Sequence, residues 1–154
     1  MKNNTKNIVI IILATLLIIS VIFNFVNTTS TTKDDQVSYS KYCENINNKI
    51  KNSDYEITES DKLELELYKD LSSENLAVLV SNKDYPIEFI DIIAKNHGYV
   101  GYTDMCNNLI NAGLLVYIPK YTHPEHGTIE EIIVTPYTIG YELAVEAGVI
   151  EEVK

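Results

Sequence analysis

Arginine and tryptophan are absent from this 154-residue chain, and cysteine occurs only twice. Without Arg the planar fork that grips phosphate is missing, and 12 lysines face 22 acidic residues. Lys2 and Lys6 precede the long apolar run, so beyond it ten lysines stand against 22 acids, a formal charge of −12. A field of that sign repels phosphate backbones and anionic lipid head groups, which excludes nucleic acid as an expected partner. Two cysteines, Cys43 and Cys106, permit at most one disulfide, closing a loop of about 64 residues and contributing about 3 to 4 kcal/mol. They fit equally well as two buried thiols acting as small apolar residues, because spacing alone does not give the geometry. A glycine-rich phosphate loop is also missing, since neither Gly98 nor Gly101 is followed by Gly or Lys at the required spacing.

What is present is a run of apolar residues from Ile8 to Val26, IVIIILATLLIISVIFNFV, with no charge in it. At 1.5 Å of rise per residue it reaches roughly 28 Å, close to the hydrocarbon thickness of a bilayer. The run is long for a signal peptide and ends in Phe23, Phe25 and Val26 with no Ala-x-Ala pattern after it, so a retained anchor is expected. No Cys follows it directly, which excludes a lipoprotein of the usual kind. Lys2, Lys6 and the amino terminus place residues 1–7 on the cytoplasmic side and the following domain outside. Residues 27–36, NTTSTTKDDQ, read as a flexible Thr/Ser tether, with Asn27-Thr28-Thr29 matching a glycosylation acceptor.

Residues 37–154 suffice for one globular domain. Its fold class is read as α+β: a mainly helical domain with a C-terminal β-hairpin, carried by the N-terminal transmembrane helix. Tyr39, Tyr42, Cys43, Ile46 and Ile50 form one stripe of a first helix. Thr58 caps a second helix, with Leu63, Leu67 and Leu71 inward, and Ser72 or Ser73 opens a third that buries Leu76, Leu79 and Val80. Asp84 and Pro86 start a fourth, burying Phe89, Ile90 and Ile93 and stopping at His97-Gly98. Thr103 caps a fifth with Met105, Cys106, Leu109 and Ile110 on one face and Gly113 as terminator. Leu114 to Ile118 and Thr128 to Thr135 make a hairpin around an eight-residue loop, KYTHPEHG. Thr135-Pro136 begins a last helix with Tyr137, Tyr141, Ala144 and Val145 inward.

From Pro86 onward this order resembles the winged-helix fold over about residues 86–148, in the layout of MarR-like regulators. Leu109, Ala112, Gly113 and Leu114 match the step that ends their recognition helix, and Thr135-Pro136 the end of the wing strand. The resemblance implies DNA binding, but residues 103–112 contain no Lys or Arg and carry Asp104, and the wing has Lys120 against Glu125, Glu130 and Glu131. Protein contact is the use expected of such a fold here.

Chemistry-bearing clusters are few. His123, Glu125 and His126 offer two imidazoles and a carboxylate, with His97 as a third imidazole if the fold brings it near; this is a weak metal candidate. The spacing of three, with Pro124 between, does not suit a helix, and a solvated hairpin tip is the expected reading. For nucleophilic catalysis the candidates are Cys43 or Cys106 with His97, and nothing local activates either thiol. Glu130-Glu131 and Glu151-Glu152 read as solvated pairs. No catalytic residue and no cofactor is expected. Tyr99, Tyr102, Tyr117 and Tyr121, among 11 tyrosines, form either a protein-contact surface or a core filling in place of Trp. The leading expectation is thus a single-pass membrane protein, held in lipid through residues 8–26, whose acidic domain binds another protein. A cytoplasmic winged-helix-like regulator and a small metal-dependent enzyme are the alternatives.

Overall fold

A computed structural model describes residues 33–152. The expected cytoplasmic tail, the apolar run Ile8–Val26, the expected acceptor at Asn27 and the expected tether up to residue 32 lie outside the described residues. Among the described residues the protein is α+β, with six helices and two small antiparallel ribbons. No helix among them is long and apolar enough to cross a membrane.

Helix α1 (Lys33–Lys51) starts ahead of the expected boundary at Val37, so residues 33–36 are helical rather than tether. Its Tyr39, Tyr42, Ile46 and Ile50 rest on the core. Helix α2 (Glu59–Leu67) opens on a reciprocal cap: Asp61 N donates to Thr58 Oγ1 at 3.2 Å, and Thr58 N donates to Asp61 Oδ2 at 2.7 Å. Its expected inward stripe is corrected, because Leu63 and Leu67 are 72% and 76% exposed. Leu71 turns inward as expected, and Leu65 and Tyr68 take the places expected of Leu63 and Leu67. Tyr68 sets that rotation: its ring meets Phe89 edge-on at 6.5 Å and its hydroxyl shares a 2.6 Å hydrogen bond with Tyr85.

Helix α3 (Ser73–Ser81), capped by Ser72, buries Leu76, Ala77, Leu79 and Val80. Helix α4 (Ile87–Asn96) buries Phe89, Ile90, Ile93 and Ala94, which recur at helical spacing, and ends at Gly98 with φ 85°. Asp84 does not cap it; Pro86 stands at the capping position, two residues too far along, and supplies its carbonyl to Phe89 N and Ile90 N. Helix α5 (Tyr102–Asn111) buries Met105, Cys106 and Leu109. Its cap also differs from expectation: Thr103 lies inside the first turn, and its hydroxyl donates to Asn47 Oδ1 at 3.0 Å.

The C-terminal strands build a stepped hairpin. Strand β1 (Val116–Ile118) pairs with β4 (Ile132–Val134); β2 (Tyr121–His123), which lies in the expected loop, pairs with β3 (Gly127–Ile129), the start of the expected second strand. Gly127, at φ 73°, closes the three-residue tip 124–126 by taking a left-handed conformation open to glycine. Pairing breaks at Pro119-Lys120 opposite Glu130-Glu131, so the long strand expected from Thr128 to Thr135 is two short ones. Helix α6 (Ile139–Glu146) is capped by Thr138, which leaves Tyr137 outside the helix and 92% exposed, contrary to its expected inward place.

The β1–β4 ribbon divides two cores. Tyr117 and its partner Ile133 face the main cluster of α3, α4, α5 and Leu115. Ile118, Val134, Val116 and Ile132 face a second cluster with Tyr141 and Ala144 of α6. The two-residue period of a strand thus serves apolar surface on both sides.

Candidate functional site

A polar cluster lies where α1 meets α5 and β1. Tyr117 meets Tyr39 and Tyr42 at ring-centroid distances of 5.0 and 5.5 Å. Its hydroxyl shares a 2.8 Å bond with Ser38 Oγ and donates to Glu131 Oε2 at 2.9 Å. Burial pushes the Tyr42 and Tyr117 hydroxyls up to about 12. Cys106 and Tyr102 lie beneath, and burial drives the Cys106 thiol up to about 12, with Cys43 adding to the effect. The Cys43 thiol is raised by burial too. Both are therefore predominantly thiols at neutral pH, and neither carries the lowered pKa that marks a catalytic nucleophile.

The expected tyrosine surface comes apart in three dimensions. Tyr102 is 4% exposed and belongs to the main core. Tyr99 and Tyr117 are half-buried against that core, whereas Tyr121 packs in the second cluster with its hydroxyl enclosed and unpartnered. These four residues therefore share no common face: the structure distributes them between two cores.

The hairpin tip brings His123 and His126 together, ring centroids 4.7 Å apart. His123 is only 7% exposed, which corrects the fully solvated tip. Its Nδ1 accepts from Glu125 N at 3.1 Å and His126 N at 3.3 Å, so that lone pair holds the turn closed rather than facing a ligand. Glu125 contributes its amide to this arrangement. His97 is elsewhere, its Nε2 bonded to the Tyr68 carbonyl at 2.7 Å. Among the described residues no group of three His, Cys, Asp or Glu side chains is placed to hold a metal ion.

Asp91 is the residue that sequence reading missed. It is 6% exposed on the buried face of α4, and its Oδ1 accepts from Tyr102 N at 2.7 Å, capping α5 from the preceding helix. Lys95 reaches its other oxygen at 2.7 Å. The signal was a carboxylate inside the apolar stripe Phe89, Ile90, Ile93, Ala94, where a buried charge needs partners.

Exposed large apolar side chains are spread over the described residues, Val37, Val78, Val100, Tyr137 and Ile139 among them, and α2 carries two more. Leu63 and Leu67 lie one turn apart and point outward, and between Glu56 and Asp70 six acids accompany two lysines. Both lysines bond to neighbours on the same segment, Lys62 to Glu59 and Lys69 to Glu66. The cavities are shallow by comparison: an open groove of about 500 Å³ lined by Asn45, Asn48, Lys49, Asn52, Ser53 and Glu88, and a smaller one of about 150 Å³ between Tyr42, Tyr85 and Ile132. Comparison with protein-family models, with curated proteins and with solved structures returns no match to this chain.

Proposed function

We propose that this chain is a single-pass membrane-anchored protein whose acidic domain, outside the cytoplasm, is a protein-binding module. The outward face of α2 is its contact surface, and a basic amphipathic segment of the partner is its occupant. The carrying observation is the pair Leu63 and Leu67, exposed one turn apart on a helix whose surroundings are acidic. Apolar side chains with an oppositely charged rim on the partner supply affinity and steering respectively. The test is binding of the full-length chain, in detergent, to a Lys/Leu amphipathic helical peptide, measured by fluorescence anisotropy. The expected result is binding that weakens at least about tenfold in Leu63→Ser/Leu67→Ser, a loss of about 1.4 kcal/mol. Equal binding by wild type and variant overturns the reading. Topology is tested separately with an impermeant thiol reagent on intact cells after reduction. Cys43 is the reporter, because Cys106 is fully buried. Labelling before permeabilisation supports an external domain, and protection in intact cells with labelling only after permeabilisation overturns it.

The element order α4, α5, β1, ribbon, β4 favours a second reading, a winged-helix-like regulator. Against DNA as its ligand, α5 already commits polar groups to protein: Asn107 accepts from Tyr39, Asn108 donates to Asp104, and Thr103 donates to Asn47. No Lys or Arg is available on it to engage phosphate. Protein contact therefore remains the use proposed for that fold as well.

A further inference from the structure

Cys43 and Cys106 take no part in the α2 surface, and both are free thiols in this structure. Their placement follows from two hydrogen bonds that bracket them. Tyr39, one turn before Cys43, donates to Asn107 Oδ1 at 2.7 Å; Asn47, one turn after it, accepts from Thr103 Oγ1 at 3.0 Å. The chain therefore advances along α1 from 39 to 47 while it runs back along α5 from 107 to 103, an antiparallel pairing. Cys43 stands midway in the first interval, and Cys106 falls inside the second on its buried side. Cys106 is fully buried and Cys43 half-buried, so both lie in the contact between the two helices.

We propose that Cys43 and Cys106 are a disulfide-forming pair that staples α1 to α5. The oxidant is a disulfide, either a small-molecule one such as glutathione disulfide or that of a dithiol oxidase. Cys43, the thiol with solvent access, loses its proton and attacks one sulfur of that disulfide, releasing one thiol and leaving a mixed disulfide. Cys106 then loses its proton and attacks Cys43 Sγ, expelling the second thiol. In sum, two protein thiols and one external disulfide become one protein disulfide and two external thiols, so electrons and protons balance. The consequence is specific to α1: none of its described side chains is fully buried, so its attachment rests on half-buried contacts that a covalent bond would make permanent.

The test equilibrates the full-length chain in detergent with glutathione redox buffers, natively and in urea. Thiols are then trapped, and peptides are mapped by mass spectrometry without reduction. The expected product is a peptide pair linking Cys43 to Cys106, lighter by two hydrogens and reversed by dithiothreitol. Half-oxidation should occur natively at a ratio at least about tenfold more reducing than in urea, because the fold holds the thiols together. Cys43→Ser, at the half-buried position, leaves the core intact and must abolish the linked peptide. A glutathione adduct that persists on Cys43, a Cys43–Cys43 dimer, or equal half-oxidation with and without urea overturns the proposal.

Discussion

Gly101 owes its identity to a neighbour rather than to its backbone, whose φ of 170° any residue adopts. A Cβ there would stand 2.6 Å from Asp91 Oδ1, the oxygen that caps α5. Gly101→Ala must displace a buried carboxylate from its amide, and it is expected to cost about 1 to 3 kcal/mol in denaturant unfolding. Gly98→Ala meets no atom within 4 Å, and its cost of about 1 kcal/mol comes from the φ of 85° alone. Thr58 and Asp61 give a pH-dependent counterpart. The Thr58 backbone amide, then its hydroxyl, holds the Asp61 carboxyl below its ordinary value of 3.8. A depressed folded value means the cap contributes fully above that ordinary pH and is lost as pH falls through the lower one. Amide exchange at Thr58 should therefore accelerate below about pH 4, and Asp61→Asn should remove that acid dependence. Tyr42 and Tyr117 work in the opposite direction: their raised values stabilise the fold fully below the ordinary 10 and lose that contribution as pH climbs toward about 12. Phenolate absorbance should show these two hydroxyls ionising well above the ordinary 10.

His123 organises the β2–β3 step by accepting two amides, so His123→Ala should free Glu125 N and His126 N to exchange while β1–β4 stays protected. The same division is testable in the ribbon. Ile118→Ala and Ile133→Ala each empty a buried site, at about 2 to 5 kcal/mol apiece. Since they face different clusters, their costs should add within about 0.5 kcal/mol in the double variant. Helix existence was legible because apolar spacing and turn residues agreed: Phe89, Ile90, Ile93 and the stop at Gly98 are read directly from the string. Rotation was not legible where two apolar sets compete. On α2 the chain offered Leu63 and Leu67 or Leu65 and Tyr68, and Tyr85 and Phe89, distant in sequence, decide between them. The cap of α5 was illegible for a similar reason, whereas Thr58 and Ser72 cap as their local sequence indicates. Thr103 looks like a cap from its local sequence, but Asp91 provides that service from another helix, and no local pattern records it. The tyrosine surface likewise depended on which face each residue takes, which only the division into two cores reveals.

An excess of ten negative charges over the whole chain makes self-repulsion part of its stability. Raising ionic strength from about 10 to 300 mM shortens the Debye length from about 30 to 6 Å, and the thermal midpoint is expected to rise accordingly. Binding of a basic partner should weaken over the same range, so the two responses to salt carry opposite signs. The antiparallel register adds a mechanical consequence. Val116, where the chain enters β1, is paired with Val134, where it leaves β4. A pull between the helical core and α6 therefore loads that pair first and opens the ladder one rung at a time from a single end, as a zipper opens. The same ribbon that joins two cores at rest would yield to force sequentially rather than in shear, and α6 would be the part released.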